Sequence, residues 1–146
     1  MTNKLETLLR KAGRELADYQ VARIFKVPEE LAQTPCDFFG YRRDGKAILI
    51  EAKMVNRDSL PIGTKPGLLA HQFYELDAAN RANAISLVCW ARGSEVYTID
   101  VDWIARSVLQ SGKKSINWQD LPSYWRRSMN GPDAHLKLLD YFLPLP

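Results

Sequence analysis

Two runs of aromatic and branched residues constrain the fold of this chain more than any other feature. They cover residues 37–42 and 46–53, and Asp44 and Gly45 lie in the turn between them. An Asp-Gly pair between two such runs is typical of a β-hairpin. Because an antiparallel hairpin determines which residues face each other, its turn also decides which polar side chains meet.

The length of the turn decides the register of the hairpin. A turn made of the Asp-Gly pair alone would point Asp37 away from the face that carries Glu51. A three-residue turn that also includes Arg43 instead pairs Asp37 with Glu51, and Gly45 suits the left-handed position of such a turn. We therefore expect the two acids to be cross-strand neighbours, with Cβ atoms roughly 5 Å apart.

The second run of the hairpin changes from apolar to charged at Glu51 and Lys53. Side chains alternate along a strand, so these two groups share one face. An ordinary surface ion pair would explain them without any function and would contribute little to stability. Asp37 beside Glu51 favours chemistry, because two adjacent carboxylates repel unless they hold a hard cation such as Mg²⁺, for which Mn²⁺ is a possible substitute.

This constellation suits phosphodiester hydrolysis. Mg²⁺ held by Asp37 and Glu51 would bind a phosphate oxygen and lower the pKa of a bound water. The Lys53 ammonium could orient that water and stabilise the growing negative charge. His71 and His135 lie on different predicted elements, so covalent catalysis is the weaker interpretation.

The remaining pattern predicts one α/β domain over residues 1–146, with a mixed, mostly antiparallel sheet flanked by helices. Asn3 and Asp100 are expected to cap helices, Asn3 in a capping-box pattern with Glu6. Segment 56–67 is predicted to be a loop, and the aromatic tail from residue 112 is predicted to pack on the domain. The other predicted elements are a first helix up to Tyr19, strands 21–27, 84–91 and 95–99, and helices 68–82 and 100–110.

Charge indicates a nucleic-acid partner. The net charge is only +3, but the cations are clustered, and several basic clusters in one small domain favour phosphate binding over plain solvated surface. The best candidates for phosphate contacts are Arg10, Arg14, Lys113 and Lys114. The other clusters include Arg42 with Arg43, and Arg126 with Arg127.

The rest of the composition narrows the cellular setting. Two cysteines and two histidines provide neither a disulfide framework nor a zinc site. No run approaches the roughly 20 apolar residues of a membrane span, and the N-terminus lacks a signal-type segment. We expect a cytoplasmic protein, of a bacterial or phage-infected cell.

An acid at a strand start followed by Glu-x-Lys on the next strand resembles the PD-(D/E)XK nucleases, which have a restriction-endonuclease-like core. Their proline corresponds here to Pro35, displaced one position by Cys36. Within that superfamily the chain resembles the RecU-type Holliday junction resolvases, in order and approximate spacing, through the strings LETLL, KVP, CDFFG, ILIEAKMV, LPIG, AHQ, GKKSI and LDYF.

The resemblance implies a homodimeric, metal-dependent endodeoxyribonuclease that cuts four-way DNA junctions by paired nicks. It implies Asp37 and Glu51 as metal ligands and Lys53 as the catalytic lysine. It adds Glu6 as an acid near the metal and Gln72 as a polar site residue. His71, beside Gln72, is a further candidate for lining the DNA groove.

One segment departs from the family, and two alternatives stay open. About ten residues separate Lys26 from Asp37, where RecU-type enzymes usually carry a long projecting insertion. One alternative is a less selective nuclease of the same superfamily that acts on duplex, flap or damaged DNA. The other is a module that binds branched DNA without cutting it. The three charged groups on one sheet edge argue against this module, because a site without activity has no reason to keep them.

Overall fold

The computed structural model describes residues 3–28 and 36–146, which form a six-stranded sheet with helices on both faces and a smaller three-stranded sheet. The predicted fold class is confirmed. The helices are α1 (Lys4–Asp18), α2 (Ala70–Arg81), α3 (Val101–Ile104) and α4 (Ala134–Lys137). The strands are β1 (Ala22–Lys26), β2 (Phe38–Arg42), β3 (Ala47–Met54), β4 (Ser59–Gly63), β5 (Leu68–Leu69), β6 (Ile85–Arg92), β7 (Glu95–Asp100), β8 (Ser115–Asn117) and β9 (Arg126–Ser128).

The main sheet has the order β1-β2-β3-β6-β7-β9, and only β3 and β6 pair in parallel. A parallel pair needs a crossover, and α2 is the helix of the connection between these two strands. Strand β3 is therefore central, and β1 is an edge strand. Residues at the end of β3 lie close to the start of α2, where polar side chains from both elements can meet.

Apolar side chains cover both faces of this sheet. On one face α1 presents Leu5, Leu9 and Leu16 to Ile48 and neighbouring strand residues. The helix begins as predicted, since the Asn3 side chain accepts a hydrogen bond from the Glu6 N–H at 2.8 Å. On the other face, α2 and the aromatic tail pack over a second cluster. The prediction that the tail folds back on the domain is confirmed.

The hairpin between β2 and β3 has the predicted register. The Gly45 N–H donates to the Arg42 carbonyl at 2.8 Å, and the Arg42 N–H donates to the Lys46 carbonyl at the same distance. The turn thus comprises three residues, and Gly45 adopts the left-handed φ of 89°. Phe38 pairs with Ile50, the last pair of this ladder, and Asp37 and Glu51 are the next residues on the two sides of that pair.

The prediction of a loop over residues 56–67 is wrong. Strand β4 lies inside it and pairs with β8, so that the fully buried Leu60 stands opposite Ile116. Local pattern could not show this pairing because the partner lies more than fifty residues further along the chain. The helix predicted over residues 100–110 is α-helical only in α3 and continues as a π-helical turn over Ala105–Leu109.

Pro35, which the resemblance aligns with the proline of the nuclease motif, lies outside the described residues. Within the described ranges, no helix combines the length and apolar character that crossing a lipid bilayer requires.

Gly40 holds β1 against β2 and provides a first test of the hairpin. A Cβ atom at this position would lie 1.8 Å from the Arg23 carbonyl oxygen, which is backbone and cannot move aside easily. We expect Gly40→Ala to lower the free energy of unfolding by about 3 kcal/mol, the upper range for overpacking. Urea denaturation followed by circular dichroism measures this change.

Gly45→Ala in the same hairpin is the matched control. A Cβ atom there has open space around it, and only the positive φ is unfavourable, which costs about 1 kcal/mol. Equal losses in the two variants would contradict the close approach of β1 and β2 at Gly40.

Candidate active site

Asp37 and Glu51 lie side by side at one end of the hairpin. The Asp37 N–H donates to the Ile50 carbonyl at 3.0 Å, so the backbone of Asp37 is held by the residue that precedes Glu51. The Asp37 Oδ2 accepts a hydrogen bond from the Ala52 N–H at 2.8 Å. Sequence reasoning missed this backbone contact, which holds the Asp37 carboxylate across the strand from Glu51.

Glu51 is buried and receives two donors. Its side chain is only 4% exposed, and its Oε2 lies 3.1 Å from the Lys53 Nζ. The same oxygen accepts a hydrogen bond from the Gln72 Nε2 at 3.2 Å. The ion pair is therefore not the surface pair that the sequence left open, because Lys53 too is only 17% exposed.

Gln72 links this carboxylate to the start of α2. While its Nε2 donates to Glu51, its Oε1 accepts a hydrogen bond from the Leu69 N–H at 3.0 Å. Leu69, at the start of the helix, has no polar side chain that could cap it. The Gln72 amide oxygen instead satisfies the free backbone N–H of Leu69. Both ends of the amide are engaged, which fixes the orientation of the group that meets Glu51.

The protonation of Glu51 is strongly perturbed. Burial raises its pKa from 4.5 to about 7, and the neighbouring Asp37 carboxylate adds to the rise, while Lys53 opposes it. A carboxyl group whose pKa lies near 7, within a cluster of charged groups, is typical of functional sites. A bound cation would reverse the effect by favouring the ionised form.

The donor set fits a divalent cation of the Mg²⁺ class. Such ions bind to one or two carboxylates and fill their remaining positions with water and substrate phosphate oxygens. Asp37 and Glu51 provide two such carboxylates, and the Asp37 charge raises the pKa of Glu51, so a cation between them would relieve their repulsion.

Glu6 is not brought into this pair to form a set of three. It lies in the first turn of α1 and is partly exposed. In residues 3–28 and 36–146, no three Asp, Glu, His or Cys side chains are close enough together to enclose a metal ion. The role of Glu6 near the metal therefore stays a prediction.

Cys36 lies directly before Asp37 but contributes no reactive group. Its side chain is buried and its Sγ lies 3.1 Å from the Phe38 carbonyl oxygen. Burial raises the pKa of the thiol to about 12, and the charges of Glu51 and Asp37 add to the rise. A thiol that stays protonated is neither a nucleophile nor a metal ligand at neutral pH.

The basic clusters divide into paired and unpaired groups. Several predicted phosphate contacts or cluster members form ion pairs with acids: Lys113 with Asp120, Arg42 with Asp44, Arg126 with Glu95, and Arg127 with Asp140. Lys114 is exposed beside β8, and His71 is exposed in the first turn of α2, next to Gln72. Arg10 and Arg14 are exposed on α1 and form no ion pair with any acid in the described ranges.

Comparison with known proteins gives little sequence-level information. No family model matches the chain, and no curated protein matches it. One solved structure, that of Archaeoglobus fulgidus Hjc, described as a Holliday junction resolvase from an archaeal hyperthermophile, is similar with a TM-score of 0.49 and 18% sequence identity. That similarity covers 77% of this chain and 88% of the archaeal one.

Proposed function

We propose that this protein is a metal-dependent endodeoxyribonuclease that resolves four-way DNA junctions. The observation that carries the nuclease assignment is the largely buried cluster in which Lys53 contacts Glu51, with Asp37 just before the neighbouring strand β2. Desolvating a carboxylate and an ammonium costs several kcal/mol per ion. A cluster of this kind is therefore better explained by chemistry than by stability.

The side chains have separate tasks in this proposal. Asp37 and Glu51 would hold Mg²⁺, which supplies a water of lowered pKa and neutralises charge on the phosphate. Of the two ion-pair partners, Lys53 is the more exposed. Its ammonium donates to the attacking water and to the phosphate oxygen that gains charge. Gln72 and the Ala52 N–H keep the two carboxylates in place.

Junction selectivity is the finer part of the proposal and comes from the resemblance to the RecU-type resolvases. Two opposed strands are cut at one junction, so two active sites related by symmetry are needed. We therefore propose a homodimer, for which sedimentation velocity should give twice the chain mass of 16.7 kDa.

Cleavage of a labelled, immobile four-way junction beside the matching linear duplex tests the function directly. In Mg²⁺ we expect symmetric nicks in the junction, little cutting of the duplex, and no cutting of either in EDTA. Mn²⁺ in place of Mg²⁺ shows whether it can substitute. If the duplex is cut as well as the junction, the protein is the less selective nuclease. The short segment between Lys26 and Asp37 favours that alternative, because no long insertion is present there.

The same experiment also tests the non-enzymatic alternative. Electrophoretic mobility shifts in EDTA report binding without cleavage. A protein that binds the junction but never cuts it, in Mg²⁺ or Mn²⁺, would be the branched-DNA binding module.

Gln72 provides a further prediction because it contacts Glu51 without taking part in the proposed chemistry. We expect Gln72→Ala to lower the cleavage rate at limiting Mg²⁺ by about ten- to a hundredfold, the usual effect of removing a group that orients a metal ligand. The measurement is the cleavage rate as a function of Mg²⁺ concentration.

Saturating Mg²⁺ should restore much of the rate in Gln72→Ala, since the variant keeps both carboxylates and Lys53. The matched control is Asn80→Ala on the same helix, whose amide contacts Asp102 instead of the site. If the Mg²⁺ dependence of cleavage is unchanged in Gln72→Ala, Gln72 does not orient a metal ligand.

A further inference from the structure

A groove of about 530 Å³ runs between α1 and the edge strand β1. Four cationic side chains line it: Arg10, Arg14, Arg23 and Lys26. Arg10 and Arg14 are one helical turn apart, about 6 Å along the axis, which is comparable with the separation of neighbouring phosphates along a DNA strand. Arg23 and Lys26 belong to β1, the other wall of the groove; alternation places Lys26 on the face that α1 covers and Arg23 on the opposite face of this edge strand.

Some basic residues of the protein are paired with acids: Arg81 and Arg106, for example, lie within 4.0 Å of an acid on the same helical segment. Others, such as Lys11 and Lys114, form no ion pair within the described ranges. No ion pair within the described ranges involves any of the four in the groove. No acid of the described ranges therefore neutralises their charges.

The backbone of β1 adds donors to the same groove. The Val27 N–H donates to the Asp37 carbonyl and the Arg43 N–H donates to the Val21 carbonyl, so the odd-numbered residues of this strand bond to β2. Residues between them on an edge strand direct their N–H groups away from the neighbour. The N–H groups of Ile24 and Lys26 thus face the open side of β1.

One end of the groove lies next to the backbone of Asp37, because Phe38, the residue that follows it, lines the groove. Lys26 and Phe38 line this end, and the Lys26 Nζ lies 3.2 Å from the Val27 carbonyl oxygen. Val27 itself is bonded to Asp37, whose carboxylate stands opposite Glu51. A DNA strand lying in the groove would therefore pass close to the backbone of Asp37; the side chains of the candidate site do not themselves line the groove.

We propose that this groove binds the phosphodiester backbone of the DNA arm that carries the cut phosphate, with Arg23 and Lys26 acting together with Arg10 and Arg14. The inference rests on the proposed nuclease function and adds the path of the substrate. Four cations spread along an open groove suit a linear polyanion, and contacts to phosphates position DNA without reading its bases.

Salt dependence of binding tests the groove. Fluorescence anisotropy in EDTA gives the Kd of the labelled junction over a range of NaCl concentrations, for wild type and for Arg14→Gln/Arg23→Gln. Each lost phosphate contact lowers the slope of log Kd against log salt by about 0.9, so we expect a fall of about 1.8. The control is Arg81→Gln/Arg106→Gln, which removes the same charge from paired residues and should keep the wild-type slope.

A modified substrate locates the contact. A junction with uncharged methylphosphonates at the phosphates flanking the cut should bind to wild type more weakly than the unmodified junction does. The affinity of the groove variant should be nearly the same for the two junctions. An unchanged slope in the groove variant, or equal losses from the modified DNA in both proteins, would overturn the inference. Groove-dependent binding by a protein that never cuts would leave the groove in place and remove the nuclease function.

Discussion

Lys53→Met is expected to reduce junction cleavage at saturating DNA by about a hundred- to a thousandfold, the effect of removing one pre-placed donor from a developing negative charge. Methionine keeps most of the length of the partly buried stem, so packing should change little. Binding of the junction in EDTA should remain close to that of wild type. Single-turnover cleavage with protein in excess measures the chemical step.

A second role of Lys53 has to be separated from the first. Its ammonium lowers the pKa of Glu51, so its loss also weakens the carboxylate as a metal ligand near neutral pH. At pH 9 with saturating Mg²⁺ this effect disappears because Glu51 is ionised in either protein. A loss of rate that persists there shows that Lys53 acts on the reacting groups, whereas full recovery would reduce it to a counter-ion.

Lys46→Met is the matched control for this substitution. Lys46 lies at the other end of the same hairpin, next to the turn. The two variants remove the same charge from the same pair of strands. Comparable losses of cleavage in both would mean that the positive charge of the hairpin, and not the position of Lys53, supports the reaction.

Glu51→Gln is expected to stabilise the metal-free protein at pH 8 by about 2 kcal/mol, which corresponds to roughly 4–8 °C in Tm for a domain of this size. At that pH wild-type Glu51 is ionised although it is buried beside Asp37. Glutamine has the same shape, carries no charge and can still accept the hydrogen bond from Gln72. The site is thus expected to be functional at the expense of stability.

The pH dependence follows from the raised pKa. Between pH 4.5 and about 7 the unfolded chain has lost the Glu51 proton while the folded chain still holds it. The unfolded state then binds fewer protons, so stability falls as the pH rises through this window, by up to about 3 kcal/mol from this group alone. Glu51→Gln should lack this fall, which urea denaturation at pH 5, 6, 7 and 8 in EDTA measures.

Mg²⁺ should act in the opposite direction. A cation that binds the folded site raises stability by mass action, so Tm at pH 8 should rise with Mg²⁺ in wild type and much less in Glu51→Gln. Glu75→Gln, an exposed position on α2, controls for the loss of a negative charge. A Glu51→Gln protein that is less stable than wild type in EDTA at pH 8 would contradict the description of Glu51 as a destabilising buried charge.

The amino-acid sequence alone determined the hairpin and its register. The residues that decide it, Arg43 and Gly45 in the turn, are close along the chain to the acids that they align. Alternation along a strand then placed Glu51 and Lys53 on one face, and the 3.1 Å contact agrees. The relative positions of these side chains could be predicted because they depend on the geometry of residues that are close along the chain.

Only the tertiary structure decided the surroundings of those side chains. The pairing of Leu60 with Ile116 and the contact of Gln72 with Glu51 join segments distant in sequence. The groove joins consecutive elements, α1 and β1, and depends on how the helix packs against the strand that follows it. Local periodicity carries no information about such partners, because they are chosen by the packing of the whole chain. The same packing buries Glu51 and pairs some basic clusters with acids, whereas others form no ion pair in the part of the chain that the structure describes. The electrostatics of the site could therefore not be predicted from the sequence.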